Sequence, residues 1–391
     1  MNSLCTDIGW RSLNKFGEIL CGDSVEVLEK DNGEIIVVLA DGLGSGVKAS
    51  ILSTLTAKII ATMMAEVMSL EECVLAITAT LPVCEVRQIA YSTFTIIRII
   101  NNSEAEIIQY DNPHVVLLRK GKYVDTHKIS ESIDGKVIYK SRVKLQEDDT
   151  FIAFSDGAIH AGVGKVLNFG WQRKDIIKFI EGLYDTRYTA KTLTTILLEQ
   201  CNLLYGGEPG DDTTVCTVKI RPRKPMNLLI GPPANPADAE RMMALFFSKA
   251  GKHIVCGGTT STIAAEFLGK PLITDINAYI DPEIPPVAEV EGIDLVTEGV
   301  VTISRVLFYA QDYLADNRYY AEWSKKEDGA SRIAKLLFEE ATDINFYVGR
   351  AVNAAHQNHD LPIGFSMKMR LVSELADALK QMGKRVKTSY F

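Results

Sequence analysis

The stretch Glu34-Ile35-Ile36-Val37-Val38-Leu39 is apolar without alternation after its first residue, and it is bounded by Asn32-Gly33 on one side and Asp41-Gly42 on the other. A β-branched run of this length between turn signals reads as a central strand, covered by other layers of the fold. Its end carries Asp41 into Ala40-Asp41-Gly42-Leu43-Gly44-Ser45-Gly46. Two other loops share the design: Ser155-Asp156-Gly157 follows the apolar run from Thr150 to Phe154, and Gly210-Asp211-Asp212-Thr213-Thr214 precedes the alternating stretch from Val215 to Ile220. Strand ends that bring aspartates to one place make an oxygen-rich site without His or Cys, which suits Mg²⁺ or Mn²⁺ better than zinc. A phosphate-handling metal site is the expectation.

At 391 residues the chain has room for two or more domains. Apolar residues at 47% and charged residues at 24% argue against extensive disorder, and a net charge of -8 gives no general attraction to nucleic acid or anionic membrane. No apolar run is expected to reach the roughly 18 uncharged residues that span a bilayer, and Met1 to Trp10 lacks a basic-then-apolar leader. A cytoplasmic protein without a membrane partner is the reading. The seven cysteines are scattered and never spaced Cys-x-x-Cys, so reduced, buried thiols are expected in place of a disulfide framework or zinc ribbon.

Arg221-Pro222-Arg223-Lys224-Pro225 is the clearest boundary, because proline keeps the chain extended and removes ladder donors. The sequence therefore divides into residues 1–222 and 227–391. In the first part Ser92 to Ile100, Glu106 to Tyr110 and Val115 to Arg119 read as strands, and Val47 to Met68 as a helix with Ala57, Ile59, Ile60, Met63 and Met64 as its buried stripe. Ser69-Leu70-Glu71-Glu72 is a capping box that starts a second helix, and more helix follows from Trp171 to Leu204. Strands that bracket helices predict an α+β fold, two sheet layers covered by helices. After the boundary, strands at Leu228 to Ile230, His253 to Cys256 and Pro271 to Thr274 alternate with helices, which predicts an α/β domain with a small parallel sheet and a helical tail. Ser331 to Val348 and Met367 to Met382 read as that tail.

Cys21-Gly22-Asp23-Ser24, the loop around Asp41, Tyr91-Ser92-Thr93-Phe94, Phe154-Ser155-Asp156-Gly157 and the loop around Asp211 follow one another in the order seen in the SpoIIE/RsbU-type metal-dependent serine phosphatases. Over about the first 220 residues the chain resembles that family. The resemblance implies an antiparallel β-sandwich flanked by helices, two Mn²⁺ or Mg²⁺ ions, and a phosphoserine or phosphothreonine protein substrate, often a small anti-sigma-antagonist-like protein. Read from the residues themselves, Asp41 is the candidate to bridge both cations with the Gly42 carbonyl beside it, and Asp156 and Asp211 would hold the second cation. These three aspartates are the catalytic candidates, and Asp23 would either bind metal directly or orient metal-bound water. Asp212 reads as a turn residue, since the family's ligand aligns with the first aspartate of the pair. Lys15 could pair with substrate phosphate as a point charge or lie solvated at the surface. His160 and His114 depart from the family's pattern and read as structural or solvent-facing and not catalytic, because hard cations prefer oxygen.

In the second domain Gly257-Gly258-Thr259-Thr260 stands between a strand and a helix, where free amides and a positive dipole end can receive an anion. It is neither a Walker A loop nor a full dinucleotide fingerprint. An anionic small-molecule effector is one reading of it, tight packing the other. Asn353 to His359 reads as a cap and turn. The leading interpretation is a phosphatase with a regulatory domain, with room for a homodimer. Its rivals are a pseudophosphatase that serves as a binding module, and an enzyme acting on a nucleotide derivative in the second domain.

Overall fold

The computed structural model describes residues 4–30, 32–80, 92–274, 283–315, 317–351 and 363–391. Tyr91, Cys84 and the Asn353 to His359 segment lie outside them. The chain forms two compact units that part between Pro222 and Arg223.

The first unit contains two antiparallel sheets. One comprises β1 (Leu4–Leu13), β6 (Val116–Arg119), β7 (Lys122–Val124), β10 (Asp149–Phe154) and β11 (Thr213–Pro222), in the order β1-β11-β10-β6-β7. The other comprises β2 (Asp23–Glu29), β3 (Ile35–Asp41), β4 (Thr93–Ile100), β5 (Glu104–Tyr110), β8 (Ile129–Ile133) and β9 (Lys136–Lys144), in the order β2-β3-β4-β5-β9-β8. Ile35, Val37 and Leu39 face the five-stranded sheet and pack with its Leu117, Phe151, Ala153, Cys216 and Val218. Ile36, Val38 and Ala40 face the opposite way, onto α1 (Gly46–Ala65) and α2 (Leu70–Thr80). Burial on both faces is why the β3 run is apolar without alternation. On the outer face of the five-stranded sheet, Ile152 and Phe154 pack with residues of α3 (Asp156–His160), α4 (Arg173–Leu183) and α5 (Ala190–Leu204). The result is a sandwich of two sheets between two helical layers, as the sequence predicts.

Some expectations need correction. β1, β2, β7, β8 and β9 are not legible as strands in the sequence, and the Asp134-Gly135 turn that joins β8 to β9, with φ of 49° and 74°, is a hairpin signal that marks two of them. By length and composition α1 is apolar enough to cross a membrane, contrary to the expectation that no run is. Its stripe of Ala57, Ile60, Ala61 and Met64 is buried against the sheet, with Ile59 and Met63 at the margin.

The second unit is a seven-stranded sheet in the order β14-β15-β16-β13-β12-β17-β18. Its strands are β12 (Pro225–Ile230), β13 (Lys252–Cys256), β14 (Ile273–Thr274), β15 (Ala288–Glu289), β16 (Leu295–Thr297), β17 (Asp343–Val348) and β18 (Arg385–Tyr390). The five from β16 to β18 run parallel. Between the strands come α6 (Ala239–Phe247), α7 (Gly258–Leu268), α8 (Val300–Leu314), α9 (Tyr320–Trp323), α10 (Gly329–Ala334) and α11 (Ile363–Gln381). The sheet is larger than expected, and the stretch at Ile273–Thr274 is an antiparallel edge strand, not the third parallel one, which is β16. Ser331 to Val348 is not one helix: helical structure ends at Glu340 and β17 follows.

Candidate metal centre

Asp23 opens β2 and Asp41 closes β3, and the antiparallel register sets them directly opposite each other. The other sheet supplies the remaining acids. β10 ends at Phe154, opposite Val215 of β11, so Ser155 falls beside Thr214 and Asp156 beside the Asp211-Asp212 turn. The Ser155 amide donates to the Thr214 carbonyl at 3.0 Å, and the Thr214 amide donates to Ser155 Oγ at 2.9 Å. Ser155 Oγ in turn donates to Asp23 Oδ2 at 2.7 Å, a buried bond that ties the two sheets together at the site.

Glycines let the backbone close in. A Cβ on Gly42 would stand 2.1 Å from the Ala49 carbonyl oxygen, and one on Gly22 would stand 2.7 Å from Asp212 Oδ2. One on Gly157 would stand 2.1 Å from the Asp212 carbonyl oxygen. The Gly42 amide donates to the Gly22 carbonyl at 3.1 Å, which holds the loops after β3 and before β2 together.

Carboxylates gathered this way oppose one another's ionisation. Burial, then the charges of Asp23, Asp156 and Asp211, push Asp41 up to about 9. Asp23 is raised by burial to about 7, with Asp212 and Asp156 adding to the rise and hydrogen bonds from Ser155 and Thr214 opposing it. Asp211 is raised as well, by burial and by the charge of Asp156. Asp23 Oδ1 and Asp212 Oδ2 are buried with no hydrogen-bond partner among the described residues. Among those residues no three acidic, His or Cys side chains close on one point as a finished cage. The donor set still fits hard divalent cations: it is all oxygen, its charges repel, and two buried acceptors lack a donor that a cation would replace.

Asp23, Asp41, Gly42, Asp156 and Asp211 are thus brought to one rim. Lys15 is there too: its amide donates to Asp212 Oδ1 at 2.9 Å, and its charge works against the rise at Asp211. Asp212, read as a turn residue, does cap that amide, but its second oxygen is one of the two orphans. The sequence motif gives Ser155 no role of its own, and the signal for it is its place directly before Asp156. His160 lies at the margin, Nε2 3.9 Å from Asp156 Oδ2. His114 packs edge-on against Tyr139 at 4.9 Å between ring centroids. In the second unit Gly257 has φ of 111° and caps α7, its amide donating to the Thr297 carbonyl at 2.9 Å. A Cβ on Gly258 would meet nothing within 4 Å, and Thr260 is buried.

Residues 31–221 match the family model described as Stage II sporulation protein E (SpoIIE). Among solved structures the chain is similar to the phosphatase domain of SpoIIE from Bacillus subtilis, at 19% identity over 57% of this chain and 95% of that one, with a TM-score of 0.43. It is similar to the RsbU and RsbW domains of a Mycobacterium tuberculosis protein at 15% identity, 67% and 73% coverage and a TM-score of 0.49. It is also similar to the catalytic domain of the serine/threonine protein phosphatase PstP, solved with 2 manganese ions, at 16% identity, 56% and 99% coverage and a TM-score of 0.40. No curated protein matches the chain in sequence.

Proposed function

We propose, from a chain whose residues 31–221 are a SpoIIE-type domain, that it is a divalent-cation-dependent phosphatase that hydrolyses phosphoserine or phosphothreonine in a partner protein. The observation that carries this reading is the acidic rim, with Asp23 and Asp41 paired across β2 and β3 and Asp156 and Asp211 brought over from the five-stranded sheet. Two ions, Mn²⁺ or Mg²⁺, would be held by Asp23, Asp41, the Gly42 carbonyl, Asp156 and Asp211. Cations bound there would acidify a water molecule and neutralise charge on the phosphate oxygens.

The chain's own residues do the positioning. Ser155 fixes the rotamer of Asp23 through their 2.7 Å bond. Asp212 holds the Lys15 main chain at the rim, and the Lys15 charge, felt at Asp211, would attract the incoming phosphate. The partner is a small phosphoprotein of the anti-sigma-antagonist type, the substrate class that the SpoIIE/RsbU resemblance implies. The second unit acts as the regulatory part. The setting is cytoplasmic, a reading supported by the reduced thiols of Cys21, Cys73, Cys201, Cys216 and Cys256.

Turnover of a phosphoserine peptide and of p-nitrophenyl phosphate tests this. Both reactions should require added Mn²⁺ or Mg²⁺, stop on addition of chelator, and fall to background in Asp41→Ala and Asp156→Ala. Folded variants that turn over at the wild-type rate with saturating Mn²⁺ would overturn the metal assignment. A wild-type protein with no turnover on any phosphopeptide, yet with tight Mn²⁺ binding, would favour the pseudophosphatase instead.

A further inference from the structure

From β12 the second unit's chain winds outward to β13 and then β16, and it returns to the other flank of β12 to lay down β17 and β18. The two directions of winding part between β12 and β17. In an open parallel sheet, the crevice outside the carboxyl ends of the strands at such a point is where ligands bind.

The residues at that edge are unusually bare. Ile230 pairs with Val348 on one side and Cys256 on the other, so the residues that follow, Gly349, Gly231 and Gly257, stand in a row along the carboxyl edge. Gly231 and Gly257 hold φ of 78° and 111°, a region that disfavours side chains. A Cβ on Gly349 would come within 2.2 Å of the Gly231 carbonyl oxygen.

One side chain reaches this edge from outside the strands. Lys368 of α11 brings Nζ to 2.5 Å from the point where a Gly231 Cβ would stand, and it donates to the carbonyls of Gly349 at 2.6 Å and Ala351 at 3.2 Å. The residue is 9% exposed, and among the described residues those two neutral carbonyls are its partners. By contrast, the buried Lys219 of the first unit has Asp148 at 3.2 Å. An ammonium has three donors, and a buried cation without a counter-charge is costly. Burial draws Lys368 below the ordinary lysine range, and among the described residues no carboxylate faces it.

We infer that the carboxyl edge at β12 and β17 binds the anionic group, phosphate or carboxylate, of a small molecule, and that Lys368 is the cation that meets it. The start of α7 lies one strand further along the same edge and adds the positive end of a helix dipole. The site belongs to the second unit alone, so the inference does not depend on the phosphatase reading.

Isothermal titration of the full chain, stripped of divalent cations on a chelating resin and held in buffer free of carboxylate and phosphate, tests it with pyrophosphate, ADP, citrate and uncharged adenosine as probes. At least one anion should bind and adenosine should not. Binding of pyrophosphate or ADP assigns phosphate, and binding of citrate alone assigns carboxylate. Lys368→Met should weaken the bound anion by about ten- to a hundredfold, and Lys368→Arg should retain most of the affinity. Failure of all three anions to bind at millimolar concentration, or equal affinity in a folded Lys368→Met, overturns the proposal. Acetylation of Lys368 in the unaltered protein, followed by peptide mass spectrometry, reads the same site without a substitution. Saturating anion should slow it several-fold, and an unchanged rate overturns the proposal whatever the variants do.

Discussion

Ser155 shows how much one small side chain can organise. Its hydroxyl accepts the Thr214 amide at 2.9 Å while donating to Asp23 Oδ2 at 2.7 Å, so one atom satisfies a buried main-chain donor and aims a candidate ligand. Ser155→Ala removes both bonds. Stability should fall by about 1–3 kcal/mol, the cost of a buried donor left unpaired. Mn²⁺ affinity should fall by about 10- to 100-fold, as when an outer-shell partner of a metal ligand is lost. Thermal melts and Mn²⁺ titration check the two effects separately, and a loss of stability with unchanged Mn²⁺ affinity would make Ser155 a purely structural link. The same scale explains why Asp212 was only half legible. A turn aspartate and a buried acceptor have the same sequence signature, and the approach of Gly22 to Asp212 Oδ2, which spans most of the unit in sequence, separates them.

Elements connect the site to the fold at the junction of β3 and α1. Gly42 leaves β3 with no room for a side chain, because the Ala49 carbonyl in the first turns of α1 occupies that space. Gly42→Ala should therefore push α1 off the end of β3, costing about 1–3 kcal/mol as overpacking does, and lower metal-dependent turnover with it. Ser69→Ala is the control. The α2 capping box is intact, with the Ser69 amide donating to Glu72 Oε2 at 2.7 Å and the Glu72 amide donating to Ser69 Oγ at 3.2 Å. Its loss should cost about 1 kcal/mol and leave turnover unchanged. Urea melts and steady-state rates on both variants decide the matter: full turnover in Gly42→Ala would detach this junction from the site. The capping box was legible because its partners are three residues apart. β17 was not, because Ile344, Phe346 and Val348 pack on one face and Tyr347 on the other. A strand buried on both faces loses its period-two signal and merges with the helical pattern before it.

At the scale of the molecule, two prolines bracket the passage from β11, which ends at Pro222, to β12, which begins at Pro225. Among the described residues each unit has hydrophobic clusters of its own. A fragment of residues 1–224 should accordingly fold, melt in one transition and keep metal-dependent turnover. An insoluble or molten fragment would mean that the units depend on each other to fold, and a faster one would mean that the second unit restrains the first. The sequence by itself determined what is local: the buried run of β3, the aspartates at strand ends, the capped helices and the boundary near Pro222. Each of these is written in neighbouring residues, through burial pattern, turn chemistry or the loss of an amide. Only the tertiary structure decided which strand ends meet. Strand order and register join residues more than a hundred positions apart and bring Ser155 to Asp23, and the packing of α11 brings Lys368 to Gly231 at the carboxyl edge of the second unit's sheet.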